Sequence, residues 1–144
     1  MWASPGASFG HTRLSILDLS PAGHQPMTLG PYTITYNGEV YNFRQLRGGL
    51  PGPFVSDCDT EVLLHLFRRD GERCVDALQG MFAFAVWDSE KRRLFAVRDR
   101  LGIKPFYYRE LPDGLAFASE IKALLELGRP ELDRTSLRDY LTYK

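Results

Sequence analysis

The sequence has few cysteines, no net charge and no long apolar run. Its two cysteines, Cys58 and Cys74, are too few for a disulfide framework or a cysteine-rich metal site, so we expect buried free thiols. Eighteen basic and eighteen acidic residues cancel, which argues against nucleic acid or an anionic membrane as the main partner. No stretch approaches the roughly 20 apolar residues of a membrane span, and the N-terminus lacks the pattern of a signal peptide. A cytoplasmic protein is therefore expected.

The composition is that of a globular domain. Of the 144 residues, 44% are hydrophobic and 25% are charged, which is enough to bury one core. Residues 1–9 are predicted to be irregular, and residues 72–78 to form a short helix. Residue patterning predicts strands at 14–18, 32–36, 54–55, 81–87, 93–98, 105–109 and 115–118, and further helices at 42–47, from 59, 120–127 and 135–144. Strands and helices in this mixed order, with antiparallel hairpins, indicate an α+β fold with layered sheets.

The segment from Tyr32 to Asn42 carries the first chemical signal. Its centre, Asn37-Gly38, is the pair preferred in tight hairpin turns, and a surface hairpin is one interpretation. The other interpretation is an oxyanion hole, because an asparagine amide beside a glycine N–H offers two donors in one concavity. The carboxylate of Glu39, which follows directly, favours the second interpretation.

Seven motifs in series carry a family resemblance. They lie at residues 10–18, 23–27, 36–42, 56–62, 80–85, 98–105 and 118–124. With these motifs the chain resembles the glutaminase half of glutamine-hydrolysing asparagine synthetases, which is a class II glutamine amidotransferase domain. The likeness covers essentially the whole chain in order, and several long motifs are far more specific than one short pattern.

This resemblance implies an N-terminal-nucleophile hydrolase fold, with two stacked antiparallel sheets between helical layers. It also implies hydrolysis of glutamine to glutamate and ammonia, the ammonia passing to a C-terminal synthetase domain that amidates aspartate with ATP. The partners implied are glutamine and that synthetase domain, with a homodimer in the full-length form. No cofactor or metal is expected within this domain; ATP and Mg belong to the synthetase domain.

The resemblance also implies roles for individual residues. Arg13 would grip the α-carboxylate of glutamine, Asn37 and Gly38 would form the oxyanion hole, and Glu39 and Asp59 would hold the α-amino group. The backbone around Leu14 and Ile16 would line the pocket. Other interpretations remain open: Arg13 as a surface charge, Glu39 as a solvated residue after a turn, and Asp59 as a helix N-cap.

One part of the family pattern is missing. The family's nucleophile is an N-terminal cysteine, whereas position 2 is Trp2 and the first cysteine is Cys58. We therefore expect residues 1–144 to be a partial domain, truncated at both ends, without its first strands or a synthetase domain, and inactive as a glutaminase. Two alternatives stay open: a non-catalytic scaffold, as in β-lactam synthetases, or another class II amidotransferase such as a glucosamine-phosphate synthase.

Overall fold

A computed structural model describes residues 1–14 and 17–143. The chain divides into two compact units, Met1–Pro105 and Phe106–Lys144. The first unit is built on a four-stranded antiparallel sheet of order β3-β4-β5-β6 and on a separate two-stranded hairpin, β1-β2. Its strands are β1 (Trp2–Ser4), β2 (Ala7–Phe9), β3 (Met27–Leu29), β4 (Tyr32–Val40), β5 (Gly80–Asp88) and β6 (Arg93–Arg98).

Helix α2 (Asp59–Asp70) covers one face of this sheet, and helix α1 (Phe43–Gly48) packs beside α2. Period-2 alternation in β4 turns Ile34, Tyr36 and Val40 towards α2, where all three are buried. Apolar residues at helical spacing in α2 complete the core, and burying each large side chain contributes about 1.5–3 kcal/mol. The buried apolar residues of α2 are Val62, Leu63, Leu64, Leu66 and Phe67.

The turn of the hairpin β1–β2 contacts the other face of the sheet. The two strands meet at Pro5-Gly6, where Gly6 has a φ of 95° that suits glycine in a tight turn. A Cβ added at Gly6 would lie 3.3 Å from the ring of Trp87 in β5, so the turn touches the sheet directly. The prediction that residues 1–9 are irregular is therefore wrong, because the Pro-Gly turn joins two short strands.

Strand β4 runs straight through Asn37-Gly38 and pairs with β5 along its full length, Gly38 opposite Phe82. The hairpin-turn interpretation of this pair is wrong. A Cβ on Gly38 would lie 2.3 Å from the carbonyl oxygen of Met81 and 2.7 Å from Cα of Phe82. Glycine is therefore required here by the neighbouring strand, in addition to any close approach of a ligand.

The Asp99 carboxylate anchors the loop after β6, and the Arg98 guanidinium donates to the loop carbonyls of Gly102 and Lys104. Asp99 is 7% exposed, and its side chain accepts hydrogen bonds from the N–H groups of Leu101 (3.1 Å), Ile103 (2.9 Å), Lys104 (2.9 Å) and Phe82 (3.2 Å). Burial alone would raise the pKa of Asp99, but these N–H donors together lower it. The carboxylate thus takes the place of a strand carbonyl opposite β5.

The second unit contains strands β7 (Tyr107–Leu111) and β8 (Gly114–Ala118), paired antiparallel, then helices α3 (Ile121–Leu125) and α4 (Arg134–Tyr143). The rings of Phe106 and Phe117 stack with centroids 5.2 Å apart. Helix and strand positions here follow the sequence prediction within a few residues.

The structure decides several of the local predictions. The α+β class with antiparallel sheets is confirmed, and it is consistent with the hydrolase sandwich that the resemblance implies. The expected helix at residues 72–78 is a 3₁₀ helix, Gly71–Ala77, and residues 54–55 form no strand. Of the expected strand at 14–18, residues 15 and 16 lie outside the described residues, and the others are not in a strand. No helix among the described residues is long and apolar enough to cross a membrane.

Candidate functional site

The outer edge of β4, beyond the end of β3, presents one open hydrogen-bond donor. The N–H of Tyr36 donates to Oε1 of Gln25 (2.7 Å), and the N–H of Val40 donates to Oδ2 of Asp59 (2.9 Å). Because alternate N–H groups of a strand point to the same edge, the N–H of Gly38 lies between these two. It has no acceptor there among residues 1–14 and 17–143. The edge therefore has two capped donors and one open donor.

The Asp59 carboxylate fixes the end of β4 to the first turn of α2. It is 5% exposed, and the same oxygen, Oδ2, also accepts the hydroxyl hydrogen of Tyr36 at 2.6 Å. Burial raises the pKa of Tyr36, and the negative charges of Asp59 and Glu39 raise it further. The N-cap position belongs to Cys58, so the capping interpretation of Asp59 is wrong. Asp59 instead grips β4 on both sides of residues 37–39.

Asn37 and Glu39 are half-buried and alternate with the residues that face α2. They therefore project from the opposite face of the sheet, level with the open Gly38 N–H. No side chain or backbone group in the described part of the chain bonds to the Asn37 amide, so its two N–H hydrogens remain available. A hydrogen-bond donor and a carboxylate thus flank the glycine.

Arg13 lies in a loop that is tied to the same helix end. Its guanidinium donates to the backbone carbonyls of Asp18 and of Ser20, the second at 3.3 Å. The Asp18 carboxylate accepts the N–H of Asp57 at 2.9 Å, two residues before Asp59. The hydrogen bonds from Ser20 and Asp57, aided by the charge of Arg13, lower the pKa of Asp18 to about 2. Two successive contacts therefore connect Arg13 to the start of α2.

The segment before Arg13 touches β4 directly. Nδ1 of His11 lies 3.3 Å from Oγ1 of Thr35, two residues before Asn37 on the same face. Burial lowers the pKa of His11, and the charges of Arg13 and His24 lower it further. This places the Arg13 segment alongside the site strand rather than at a free chain end.

Among the predicted residues, Asn37, Gly38 and Glu39 lie on β4 beside Asp59, with Arg13 connected through Asp18 and Asp57. The side chain of Leu14 is 82% exposed, so only its backbone can line a pocket. Ile16 lies outside the described residues.

Sequence reasoning missed two residues that shape the site, Gln25 and Tyr36. Gln25 is 6% exposed and Tyr36 is 4% exposed, and both bond to polar groups far along the chain. The signal for Gln25 was its place in the Gly-His-Gln-Pro-Met motif. Tyr36 gave only the signal of a strand-forming aromatic residue.

Neither cysteine is placed as a nucleophile at this edge. Cys74 is fully buried in the core, and burial raises the pKa of its thiol to about 12. Cys58 is 3% exposed and shares a 3.0 Å hydrogen bond with Ser56. The prediction of two buried free thiols is confirmed.

Comparison with known proteins gives consistent results. The chain is 45% identical to asparagine synthetase [glutamine-hydrolyzing] 3 of Bacillus subtilis, over 96% of this chain and 24% of that protein. It is 40% identical to a putative asparagine synthetase [glutamine-hydrolyzing] 2 of Methanocaldococcus jannaschii, over 81% of this chain and 26% of the relative. Amidase chry2 of Gibberella zeae is 41% identical over 90% of this chain and 20% of its own length.

The chain thus spans about a quarter or less of each of these relatives. A family of glutamine amidotransferase domains matches it over residues 1–144, the entire sequence. That match includes the β4 edge, the start of α2 and the Arg13 loop. The chain therefore belongs to the glutamine amidotransferase domain family.

Proposed function

We propose that this chain binds L-glutamine at the open edge of β4 and is the glutamine-using part of an asparagine synthetase-like enzyme. In that enzyme, ammonia from glutamine would amidate aspartate in an ATP- and Mg-dependent synthetase domain, and the full-length form would be a homodimer. The observation that carries the binding proposal is the grip of Asp59 on β4 at Tyr36 and Val40, on either side of Asn37-Gly38-Glu39. The rest of the enzyme is argued from family membership and relatives.

The charges of the site suit a free amino acid. Glutamine carries an α-carboxylate and an α-ammonium on one carbon, so its receptor needs a cation and an anion on facing sides. Arg13 supplies a planar guanidinium that can bond a carboxylate through two parallel hydrogen bonds. Asp59 and Glu39 supply the negative side, and Oδ1 of Asp59 has no hydrogen-bond partner among residues 1–14 and 17–143.

The glutamine amide end would meet the two open donors. When a nucleophile adds to the side-chain carbonyl, the oxygen gains negative charge. The Gly38 N–H and the Asn37 amide can donate to that oxygen in a site where the donors are already oriented by β4. Loss of one such donor costs about 10²–10³-fold in rate in hydrolases that use this device.

Hydrolysis also needs a nucleophile, and the thiols of Cys58 and Cys74 are both buried. We therefore propose that residues 1–144 alone bind glutamine and hydrolyse it about 10⁶-fold more slowly than a domain with its nucleophile in place. Release of ammonia above a mock preparation, at a rate typical of amidotransferases, would contradict this.

Isothermal titration calorimetry with L-glutamine tests the binding proposal. Arg13→Ala and Asp59→Asn are each expected to weaken binding at least about tenfold, which corresponds to about 1.4 kcal/mol. Arg68→Ala, which removes an exposed arginine from the last turn of α2, is the matched control and should leave the affinity unchanged. D-Glutamine should bind more weakly than L-glutamine, because its α-carboxylate and α-ammonium groups cannot both meet their charged partners while the side chain reaches Gly38. Absence of any L-glutamine binding would favour the scaffold alternative.

A further inference from the structure

The geometry points to Gln25 as a positioning residue that leaves Gly38 as the one open donor on the edge of β4. This inference deepens the proposed function and rests on it for the identity of the ligand. Gln25 is 6% exposed, so its amide has exchanged water for protein partners on both sides. Its carbonyl Oε1 accepts the Tyr36 N–H at 2.7 Å, and its Nε2 donates to Oγ1 of Thr60 at 3.4 Å.

The hydrogen-bond pattern of β4 makes this bond selective. Residues Tyr32 and Ile34 pair with β3, so their N–H groups are used within the sheet. After β3 ends, the donors at 36, 38 and 40 would all face outward and would compete for a ligand oxygen. Gln25 removes the first and Asp59 removes the third. A carbonyl oxygen that arrives at this edge therefore finds a single open main-chain donor, the Gly38 N–H, beside the Asn37 side-chain amide.

The same side chain also sets the distance between β4 and α2. Gln25 bridges Tyr36 of the strand to Thr60, the residue next to Asp59 in the first turn of the helix. Asp59 makes the second bridge between the same two elements. Two bridges on either side of Gly38 prevent the strand from pivoting about one contact. Gln25 thus acts on glutamine only through β4 and does not itself touch the reacting atoms.

Amide hydrogen exchange followed by NMR tests the arrangement without any ligand. In the parent chain, the Gly38 N–H is expected to exchange at least tenfold faster than those of Tyr36 and Val40. In Gln25→Met, which keeps the side-chain length but removes both polar atoms, the Tyr36 N–H should lose at least tenfold of its protection relative to Val40. The ratio of the two rates separates a local opening from a general loss of stability, which accelerates both equally.

Two further variants keep the test decisive. Thr60→Val removes only the anchor of the Gln25 amide and should give a smaller loss of Tyr36 protection, even if Gln25→Met folds poorly. Thr28→Val is the control, because it removes a 3.0 Å hydrogen bond to Thr33, which lies on β4 before the open edge. A Gly38 N–H as protected as its neighbours, or a Tyr36 N–H unchanged in both Gln25→Met and Thr60→Val, would overturn the inference.

Titration of the labelled proteins with L-glutamine then separates this inference from the proposed function. Saturation of the parent should shift the Gly38 amide resonance more than that of Tyr36. Gln25→Met should bind L-glutamine at least about fivefold more weakly, and its Tyr36 amide resonance should also shift on saturation. Thr28→Val should match the parent in both affinity and shifts. Equal affinities of Gln25→Met and the parent would refute the positioning role. Absence of any resonance shift in the parent chain would refute the proposed function alone. The exchange rates would still decide whether Gln25 and Asp59 occupy the N–H groups of Tyr36 and Val40.

Discussion

Replacement of Gly38 by alanine is the most informative single change, because it separates two reasons for a glycine at this position. One reason is the approach of a ligand to the backbone, which affects binding only. The other is the approach of β5, which affects the fold itself. The added Cβ would lie 2.3 Å from the Met81 carbonyl oxygen and 2.7 Å from Cα of Phe82, and both of these are backbone atoms.

The size of the effect follows from these distances. Neither backbone atom can move without shifting β5, and overpacking of this kind costs about 1–3 kcal/mol. The φ of 156° at Gly38 is also one that a residue with a side chain rarely adopts, which adds about 1–3 kcal/mol. The sum, about 2–6 kcal/mol, is a large share of the total stability of about 5–15 kcal/mol expected for a natural domain.

Tryptophan fluorescence during thermal or urea unfolding measures this loss of unfolding free energy. It reports on the structural unit that contains Gly38, because Trp2 and Trp87 both lie within Met1–Pro105. At this chain length, a loss of 2–6 kcal/mol lowers Tm by at least about 6 °C. Gly48→Ala is the matched control: the residue ends α1, and nothing lies within 4 Å of an added Cβ. That control should be neutral or stabilised by up to about 1 kcal/mol. A Gly38→Ala protein as stable as the control would refute the close-packing argument.

Three other outcomes are expected. Asp18→Asn should reduce the loss of unfolding free energy at acid pH. The native pKa of this carboxyl lies at about 2, below its ordinary value of 3.8, so its contribution to stability is complete above about pH 4 and is lost as the pH falls through 2. Urea titrations across this pH range would measure the difference. Both thiols, at Cys58 and Cys74, should resist a disulfide reagent in the native protein at pH 8 and react fully in concentrated urea; fast native labelling of Cys74 would contradict its buried position. Tyr36→Phe removes the 2.6 Å hydrogen bond to Asp59 and should cost about 1–3 kcal/mol of unfolding free energy while weakening L-glutamine binding, and unchanged calorimetry would show that this hydroxyl does not hold the carboxylate in place.

The elements that sequence reasoning located best are those with an unambiguous local pattern. The apolar run at residues 81–87 is β5 within one residue at each end, and the strand predicted at 93–98 coincides with β6. The apolar stripe after residue 59 is α2. In each case the local residue pattern and the tertiary structure favour the same element, so no long-range contact has to override it.

The errors arise where a distant partner decides the conformation. Asn37-Gly38 is a turn signal in isolation, but pairing with β5 keeps the chain extended through it. Asp59 has the residue type of an N-cap, yet Tyr36 and Val40 draw its carboxylate away from its own helix. Gln25 lies in the Gly-His-Gln-Pro-Met motif, but nothing in its local sequence indicates the bonds to Tyr36 and Thr60. Motif resemblance located the polar residues of the candidate site, whereas the bonds of Gln25 and Asp59 that orient β4 join residues more than ten apart in the chain.

The Asp99 carboxylate has one more consequence, for sequence variation in the loop that follows it. Asp99 holds the loop through main-chain N–H groups, which every residue except proline possesses. The side chains at 101 and 103 are therefore not needed for these hydrogen bonds. Leu101 is 85% exposed and Ile103 is 55% exposed, so we expect substitution of either side chain to leave the fold of this segment unchanged. Position 99, in contrast, requires a side chain with a hydrogen-bond acceptor, so we expect it to vary less among homologous chains than positions 101 and 103.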